Sequence, residues 1–128
     1  MSKVYLAVSG GRDTFLGHVD EAGKIYRSQT GPDDYMGHVD LASGTVYEQR
    51  FGPDGKVGRV DLSNGNVYAT RLGPDDYVGR VGDDGSMYRH ATLAADDYIG
   101  TVDPFLSYAH AAGAMLLLVL PAAEAPAQ

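Results

Sequence analysis

Apolar residues along this chain fall in short runs that are separated by clusters of glycine, proline and aspartate. One kind of run places two apolar residues three positions apart around a glycine, as Met36 and Val39 do around Gly37. The other kind is an apolar residue followed by tyrosine, as at Val46-Tyr47. Runs this short, bounded by turn-forming residues, are typical of β-strands and too short for helices. The pattern therefore predicts an all-β region built from short strands.

The two kinds of run alternate in a unit that recurs about every 21 residues, which indicates stacked or ring-arranged copies of one supersecondary unit. The first kind of run occurs in five copies, which begin at Asp13, Gly31, Gly52, Gly73 and Asp96. The apolar-tyrosine pair follows the first four copies, at Ile25-Tyr26, Val46-Tyr47, Val67-Tyr68 and Met87-Tyr88. Each of these copies is expected to form one β-hairpin.

Two kinds of turn connect the predicted strands. The short link, for example residues 42–44, ends in glycine, as expected for a tight hairpin loop with a left-handed position. The longer link, for example residues 31–33, reads Gly-Pro-Asp, in which proline supplies a φ that suits a turn. The chain is therefore predicted to be a continuous antiparallel meander.

The spacing within the first kind of strand indicates a β-bulge. In a regular strand, residues three apart such as Met36 and Val39 point to opposite faces of the sheet. An extra residue inserted near Gly37 would return both side chains to one face. The alternative is a strand buried on both sides, in which glycine allows close backbone approach. We favour the bulge.

The ends of the repeat region are incomplete in complementary ways. Residues 3–5 match only the second strand of a unit, whereas residues 96–103 supply only a first strand. Pairing of these two strands would close the sheet and remove two exposed edges. We therefore predict an all-β domain over residues 1–103, in which about five antiparallel hairpins of about 21 residues each close into a ring or flower.

The repeat resembles a known family. Residues 31–47 fit the pattern Gly-x-Asp-x-x-apolar-Gly-x-Val-Asp-x-x-x-Gly-x-Val-Tyr, which is similar to the hairpin repeats of the bacterial four-fold β-flower domains. It is less similar to the YD repeats of Rhs-type proteins and to MORN repeats. The resemblance covers residues 3–103 and implies small hairpins arranged radially like petals, although five copies depart from a four-fold pattern. It implies a fold and no functional residue.

After the repeats, the sequence predicts a single helix over residues 104–120. Asp103 suits the N-cap, Pro104 suits the first helical position, and Pro121 is expected to end the helix. The segment has no charged residue and is apolar on nearly all sides, so most of its surface has to be buried. Residues 121–128 are predicted to form a flexible tail.

Three environments could bury this helix. It could pack on or into its own ring of hairpins, which we favour, or it could be exchanged or paired between the subunits of a homo-oligomer. A membrane anchor is disfavoured, because the uninterrupted apolar stretch is shorter than the roughly 17–25 residues of a membrane span. No Lys or Arg flanks the segment to anchor it at a membrane surface.

Composition and charge narrow the classes of function. The 128 residues suffice for one domain and include no cysteine, which excludes disulfides and thiolate metal sites. The formal net charge of −7 disfavours nucleic-acid binding, because an acidic surface repels phosphates. The first residues lack the basic and apolar regions of a secretory signal, so we expect a cytoplasmic location in a bacterium.

Three sets of residues repeat in register, and each would form a ring in the predicted fold. The first set is basic and consists of His18, His38, Arg59 and Arg80. It would suit an anionic ligand, or a metal ion at its two histidines, but surface ion pairs with Asp20, Asp40 and Asp61 explain it more simply. The second set is the turn aspartates, which would suit Ca²⁺ or, more simply, hydrogen bonds to the following backbone.

The third set is tyrosine, and it is the most plausible ligand-binding surface in the sequence. Its repeating members are Tyr26, Tyr47, Tyr68 and Tyr88. Tyrosine stacks on sugar rings and lines ligand grooves, but it also has a high propensity for strands and covers thin sheets. Together with the four basic residues, these tyrosines are the candidate ligand-binding residues.

Catalysis has no support in the sequence, since it contains neither a nucleophile elbow nor a phosphate-binding glycine motif. We therefore predict a non-enzymatic structural or protein-interaction module with no cofactor, no catalytic residue and no metal site. Its partner is expected to be another protein, or a second copy bound through the helix of residues 104–120. The alternative is a small-ligand or glycan-binding domain that uses the ring of tyrosines.

Overall fold

The computed structural model describes residues 1–124, which form ten β-strands followed by one helix. The strands are short because turn-forming residues recur at both ends of every apolar run. They are β1 Ser2–Leu6, β2 Thr14–Val19, β3 Lys24–Arg27, β4 Asp34–Val39, β5 Thr45–Glu48, β6 Gly55–Val60, β7 Asn66–Ala69, β8 Asp76–Val81, β9 Ser86–Arg89 and β10 Asp97–Asp103. Strands that are neighbours in the sequence are antiparallel neighbours in the sheet.

β1 and β10 pair with each other, from Lys3 opposite Asp103 to Leu6 opposite Gly100, and close the sheet into a barrel. Every strand therefore has a partner on both sides, and the predicted ring closure is confirmed. The five hairpins are hydrogen bonded side by side around the wall, and they do not stand apart like petals. Membership of the β-flower family stays a prediction.

The two ends of the barrel differ. Short turns form one end, which we call the turn end: residues 20–23, 40–44, 61–65 and 82–85. Longer connections form the other end, which we call the loop end: residues 7–13, 28–33, 49–54, 70–75 and 90–96. The short turns contain the left-handed glycines expected from the sequence, with φ of +78° at Gly44 and +82° at Gly65.

A β-bulge interrupts every pair of strands that is joined at the loop end. In β4, Tyr35 lies opposite Tyr26 and Gly37 lies opposite Ile25, so Met36 is the extra residue. The equivalent extra residues are Leu16, Val57, Val78 and Ile99. All five side chains belong to or pack against the buried core, which confirms that the bulge turns both apolar residues of each run inward.

One helix runs through the centre of the barrel from the turn end to the loop end. It consists of an α-helical segment α1 (Tyr108–Ala114), a π-helical turn (Met115–Val119) and a second segment α2 (Leu120–Glu124). It contacts strands on all sides of the wall, and side chains such as Ala112, Met115 and Val119 are fully buried. The expectation that it packs into its own ring is confirmed. No helix within residues 1–124 has the length and hydrophobicity needed to cross a membrane.

The helix begins four residues later than predicted. Asp103 still pairs with β1, and Ser2 Oγ donates a hydrogen bond to the Pro104 carbonyl at 2.6 Å. The chain then needs several residues to turn from the wall towards the barrel axis. The N-cap is therefore Ser107, whose hydroxyl accepts a hydrogen bond from the His110 N–H at 3.2 Å.

The helix also continues past Pro121, which was expected to end it. The Leu120 N–H bonds to the Met115 carbonyl five residues back, so the turn before the proline is wider than an α-helical turn. A proline ring clashes with the carbonyl of a preceding α-helical turn, and the wider turn provides room for it. Residues 121–124 of the predicted tail are consequently helical, and residues 125–128 lie outside the described residues.

The interior is filled because wall and helix are complementary in size. With strands about 4.8 Å apart and tilted by roughly 40°, ten strands give a backbone radius of about 10 Å, which leaves room for one helix. Near the turn end, large wall side chains face a small helix residue, as Ile25 and Val39 face Gly113. Nearer the loop end, wall glycines face large helix side chains, as Gly58 faces Leu116.

We predict that Gly58→Ala destabilises the barrel by about 1–3 kcal/mol or more. An added Cβ would lie 2.4 Å from the Tyr68 carbonyl oxygen and 2.7 Å from Leu116 Cδ1, so both the sheet and the helix would have to shift. Urea unfolding followed by circular dichroism measures the loss.

Gly11→Ala is the matched control, because its Cβ would meet only Val8 Cγ1 at an ordinary distance of 3.5 Å. It should change the free energy of unfolding by less than about 0.5 kcal/mol. Equal stabilities of the two variants would contradict the close packing of wall and helix.

Candidate interaction surface

The outer face of the wall carries a belt of stacked side chains, which we call the outer belt. In each of the first four hairpins, the tyrosine of the second strand lies beside the basic residue of the first. His18 stacks on Tyr26 and His38 on Tyr47, with ring centroids 4.8 and 4.9 Å apart. The guanidinium groups of Arg59 and Arg80 lie 4.1 Å from the ring centroids of Tyr68 and Tyr88, respectively. The eight predicted site residues thus come together as four cross-strand pairs.

Each basic residue of the outer belt also contacts an aspartate of the following loop. The contacts are His18–Asp33 at 3.3 Å, His38–Asp54 at 3.0 Å, Arg59–Asp75 at 2.9 Å and Arg80–Asp96 at 3.5 Å. These loops belong to the next hairpin around the barrel. These contacts therefore join neighbouring hairpins and hold each loop against the wall.

The expected pairing of the basic residues with Asp20, Asp40 and Asp61 is wrong. These aspartates begin the short turns, and their carboxylates accept hydrogen bonds from turn N–H groups, as Asp40 does from Ala42 at 3.0 Å. Hydrogen bonds from the Ser63 hydroxyl and N–H hold the pKa of Asp61 below its ordinary value. Within residues 1–124, no group of three or more His, Cys, Asp or Glu side chains could hold a metal ion.

The tyrosine rings of the outer belt are flanked on two sides. One side is taken by the histidine or arginine just described. On the other side lies a tilted aromatic ring, in the pairs Tyr26–Tyr35 at 5.8 Å, Tyr68–Tyr77 at 5.7 Å and Tyr88–Tyr98 at 5.8 Å. Tyr47 has Lys56 in the equivalent register position. Stacking of a sugar requires a free ring face, so this geometry gives the glycan alternative no support, and it stays a prediction.

Tyr35, His38 and Asp54 form the best-connected part of the outer belt. The Tyr35 hydroxyl donates a hydrogen bond to Asp54 Oδ2 at 3.0 Å, and His38 Nδ1 lies 3.0 Å from the same oxygen. Burial, together with the hydrogen bond to Asp54 and its negative charge, raises the pKa of Tyr35 to about 12. The phenol therefore stays a hydrogen-bond donor near neutral pH, which suits a role in holding the 49–54 loop and not one as a base.

Sequence reasoning missed the three most exposed large apolar side chains of residues 1–124. Phe51, Leu72 and Leu93 are fully exposed, with relative accessibilities of 110%, 104% and 102%. They lie in three consecutive loops of the loop end, and we call them the apolar tips. The signal was present in the sequence: Phe51 and Leu72 each stand directly before a Gly-Pro-Asp turn, where polar residues are expected.

Two grooves open beside the C-terminal half of the helix. The first has a volume of about 530 Å³ and an apolar floor that includes Leu16, Met36 and Leu117. The second has a volume of about 460 Å³ and a mixed lining, in which Val57 and Leu120 lie beside charged residues such as Arg71. Ion pairs stand along the rim, among them Arg27–Asp34 at 2.9 Å and Arg71–Asp76 at 3.7 Å. The loop end therefore combines exposed apolar projections with one mainly apolar groove and one mixed groove.

A serine–histidine contact at the turn end is explained by helix capping. Ser107 Oγ lies 2.6 Å from His110 Nδ1, and His110 Nε2 lies 2.9 Å from the Glu21 carbonyl oxygen. A carbonyl only accepts, so Nε2–H is the donor to Glu21, and in the neutral imidazole the Ser107 hydroxyl then donates to Nδ1. The same hydroxyl caps the helix, and His110 is buried. The pair fixes the entry of the helix into the barrel.

The raised pKa of Tyr35 generates a prediction for alkaline titration. Tyrosinate absorbance of the wild type minus that of Tyr35→Phe should show one phenol that ionises near pH 12, above its ordinary value of 10.0. Because the folded state keeps this proton longer than the unfolded state, the stabilisation is complete below about pH 10 and is lost as the pH rises towards 12.

Asp54→Asn should lower the pKa of Tyr35, because it removes a negative charge and a hydrogen-bond acceptor beside the phenol and leaves burial as the largest remaining cause of the raised pKa. Asp40→Asn removes the same charge at the turn end and should leave the titration of Tyr35 unchanged. An unaltered pKa of Tyr35 in Asp54→Asn would contradict the hydrogen-bonded network.

Comparison with protein-family models, with curated proteins and with solved structures found no match to this chain. Similarity therefore transfers no activity to it. Any functional conclusion has to come from the surface described above.

Proposed function

We propose that this chain is a non-enzymatic protein-interaction module that binds its partner through the loop end of the barrel. The observation that carries the proposal is the full exposure of Phe51, Leu72 and Leu93 in three consecutive loops. Single exposed apolar residues are common on protein surfaces, but a cluster of large ones at one end of a rigid domain is typical of an interaction site. No contact within the described residues explains why these positions should be apolar.

The position of the helix moves the proposed binding surface away from residues 104–120. Its large side chains, such as Met115, Leu118 and Val119, are buried against the wall of the same chain. They have no free apolar face to offer a partner. A partner, or a second copy, would therefore bind at the loop end, where the apolar side chains contact solvent.

The energetics of the apolar tips suit a binding surface. Full burial of a Leu or Phe side chain contributes about 1.5–3 kcal/mol, so three of them could supply much of the affinity of a modest complex. The wall beneath them is held by barrel hydrogen bonds and by polar contacts such as His38–Asp54 and Arg59–Asp75. The tips are therefore presented on a rigid support, which reduces the entropy lost on binding.

The remaining parts of the proposal follow from the same surface. We propose no catalytic residue and no cofactor, because the outer belt consists of side chains that satisfy one another. The cytoplasmic site of action is proposed from the sequence of the first residues alone. The outer belt then has a structural role, in which it holds the loops that carry the apolar tips.

Site-specific photocrosslinking tests the proposal. A photoreactive amino acid in place of Leu72, at the loop end, should crosslink to partner proteins in a lysate of the source cells. The same amino acid in place of Asn64, an exposed turn-end residue, is the control and should not. Excess wild-type chain should compete for the crosslinks, whereas excess Phe51→Ser/Leu72→Ser chain should compete at least tenfold less well.

The pattern of crosslinks decides between outcomes. Equal yields at positions 64 and 72, or equal competition by the wild-type and the double-variant chains, would refute binding through the loop end. Because both substituted positions are fully exposed, the double variant is expected to keep the fold, and its thermal unfolding curve verifies this.

A further inference from the structure

We infer that the partner seated on the loop end is a second copy of this chain, which binds loop end to loop end about a two-fold axis. This inference rests on the proposed function, because it uses the same surface. It goes further by committing to one occupant and to a defined relative orientation of the two barrels. Three features of the loop end support it.

The first feature is that projections and depressions lie on the same face. A two-fold interface brings a surface against itself, so that surface must contain both partners of every contact. The apolar tips Phe51, Leu72 and Leu93 project from three loops, and the first groove, at the same end, is lined mainly by apolar surface. In the other two loops the equivalent tip positions are Gly10 and Thr30, which are smaller than the apolar tips.

The odd number of loops adds to this complementarity. Five loops around a closed barrel stand about 72° apart, so the point diametrically opposite each loop is a gap between two others. Leu72, in the middle of the three apolar tips, is opposite the gap between the 7–13 and 28–33 loops. A two-fold axis that places Leu72 of one copy over this gap in the other also places Phe51 and Leu93 over gaps. The first groove, with Leu16 and Met36 in its floor, lies on this side of the rim.

The second feature is the distribution of charge between the two ends. The turn end, residues 20–23, 40–44, 61–65 and 82–85, carries six acidic residues and no Lys or Arg, a net charge of −6: Asp20, Glu21, Asp40, Asp61, Asp83 and Asp84. The rest of the chain carries the other −1 of the total of −7. Two turn ends would repel each other, whereas contact between loop ends keeps the acidic ends as far apart as possible.

The ions at the loop-end rim are matched in sign. Arg27, Arg71 and Arg89 pair with Asp34, Asp76 and Asp97, and Arg50 pairs with Glu48 at 3.2 Å. Each pair has one cation and one anion, so two rims can approach without a net repulsion between these groups. They can also exchange partners across the interface, which gives the two-fold arrangement a preferred rotation.

The third feature is the area that the loop end can bury. A barrel with a backbone radius of about 10 Å presents an end of roughly 600 Å² once side chains are included. Two such ends bury about 1,200 Å² in total, which is the lower limit of specific protein interfaces. The dimer is therefore expected to be weak, with a dissociation constant in the micromolar range, and to depend strongly on the apolar tips.

Sedimentation velocity of the purified full chain over a range from micromolar to several hundred micromolar tests the inference. The wild type should show a monomer–dimer equilibrium with a micromolar dissociation constant. Leu72→Asp should raise that constant at least thirtyfold, because it places a charge in the centre of the apolar contact. Leu62→Asp is the matched control: Leu62 is a half-exposed leucine of the turn end (41% accessible), and its replacement should leave the constant within threefold.

Crosslinking tests the orientation, which is convenient because the chain contains no cysteine. Leu72→Cys chain mixed with Thr30→Cys chain should be joined readily by a short bifunctional maleimide, since each Leu72 lies over the gap beside the 28–33 loop. Two Leu72→Cys chains should be joined at least tenfold less, because their cysteines would lie on opposite sides of the rim. The reverse preference would overturn the proposed two-fold arrangement.

Each remaining outcome has a clear meaning. A wild-type chain that stays monomeric at several hundred micromolar overturns the second copy as occupant, while specific crosslinks from position 72 in lysate would still support a different protein partner. Weakening of the dimer by Leu62→Asp and not by Leu72→Asp overturns the loop-end interface. Co-sedimentation of the chain with phosphatidylcholine vesicles, lost in Phe51→Asp/Leu72→Asp, overturns it in favour of a lipid surface. Unfolding curves confirm that each variant is folded.

Discussion

The volume inside the barrel is the constraint on which the rest of the structure depends. Side chains from ten strands do not reach the centre of a barrel of about 10 Å backbone radius, so an empty space would remain without the helix. The helix fits because glycines of the wall, such as Gly37 and Gly79, face its large side chains Leu117 and Met115. The bulges beside these glycines add a second layer of inward apolar residues at the loop end. Closure of the sheet, the bulges and the helix therefore act together to fill the interior of the barrel.

The outer belt contributes less to the stability of the fold than the packed interior does, and it depends on that interior. Exposed ion pairs and stacked cation–aromatic contacts are each worth at most about 1 kcal/mol, whereas a buried valine or leucine contributes about 1.5–3 kcal/mol. The outer belt acts mainly on the loops. Because His38 contacts Asp54 and Arg59 contacts Asp75, each of these loops is attached to the hairpin before it. The loops therefore follow the regular arrangement of the strands.

Much of the fold could be predicted from the sequence, because its signals are local. The spacing of Met36 and Val39 around Gly37 predicted the bulge, and the incomplete units at the two ends predicted closure. The start of the helix could not be predicted, since it depends on the distance from the wall to the barrel axis, and Asp103 is a good N-cap only in isolation. Pro121 is tolerated because of a π-helical turn, which has no simple sequence signal.

The candidate site was only partly predictable for a related reason. The cross-strand pairs of the outer belt follow from register, so Tyr47 and His38 could be placed together in advance. The acidic partner of His38 depends on how the next loop folds back over the wall, which is tertiary information, and the sequence pointed to Asp40 where the structure has Asp54. The apolar residues at the loop tips were visible in the sequence, but their meaning required knowing that they contact nothing.

In a five-fold repeat, comparison of the copies distinguishes positions that are needed for folding from positions that are free to serve binding. Positions that face the helix or join neighbouring hairpins meet the same requirement in every copy, so residues there recur. The loop tips meet no such requirement, and there the copies differ: Gly10 and Thr30 on one side, Phe51, Leu72 and Leu93 on the other. Leu93 is the one non-glycine residue within residues 1–124 with a positive φ, at +64°, which costs a branched side chain about 1–2 kcal/mol. A fully exposed leucine in a strained conformation does nothing for the stability of the barrel. Its presence is explained if the loop end buries that side chain against another surface.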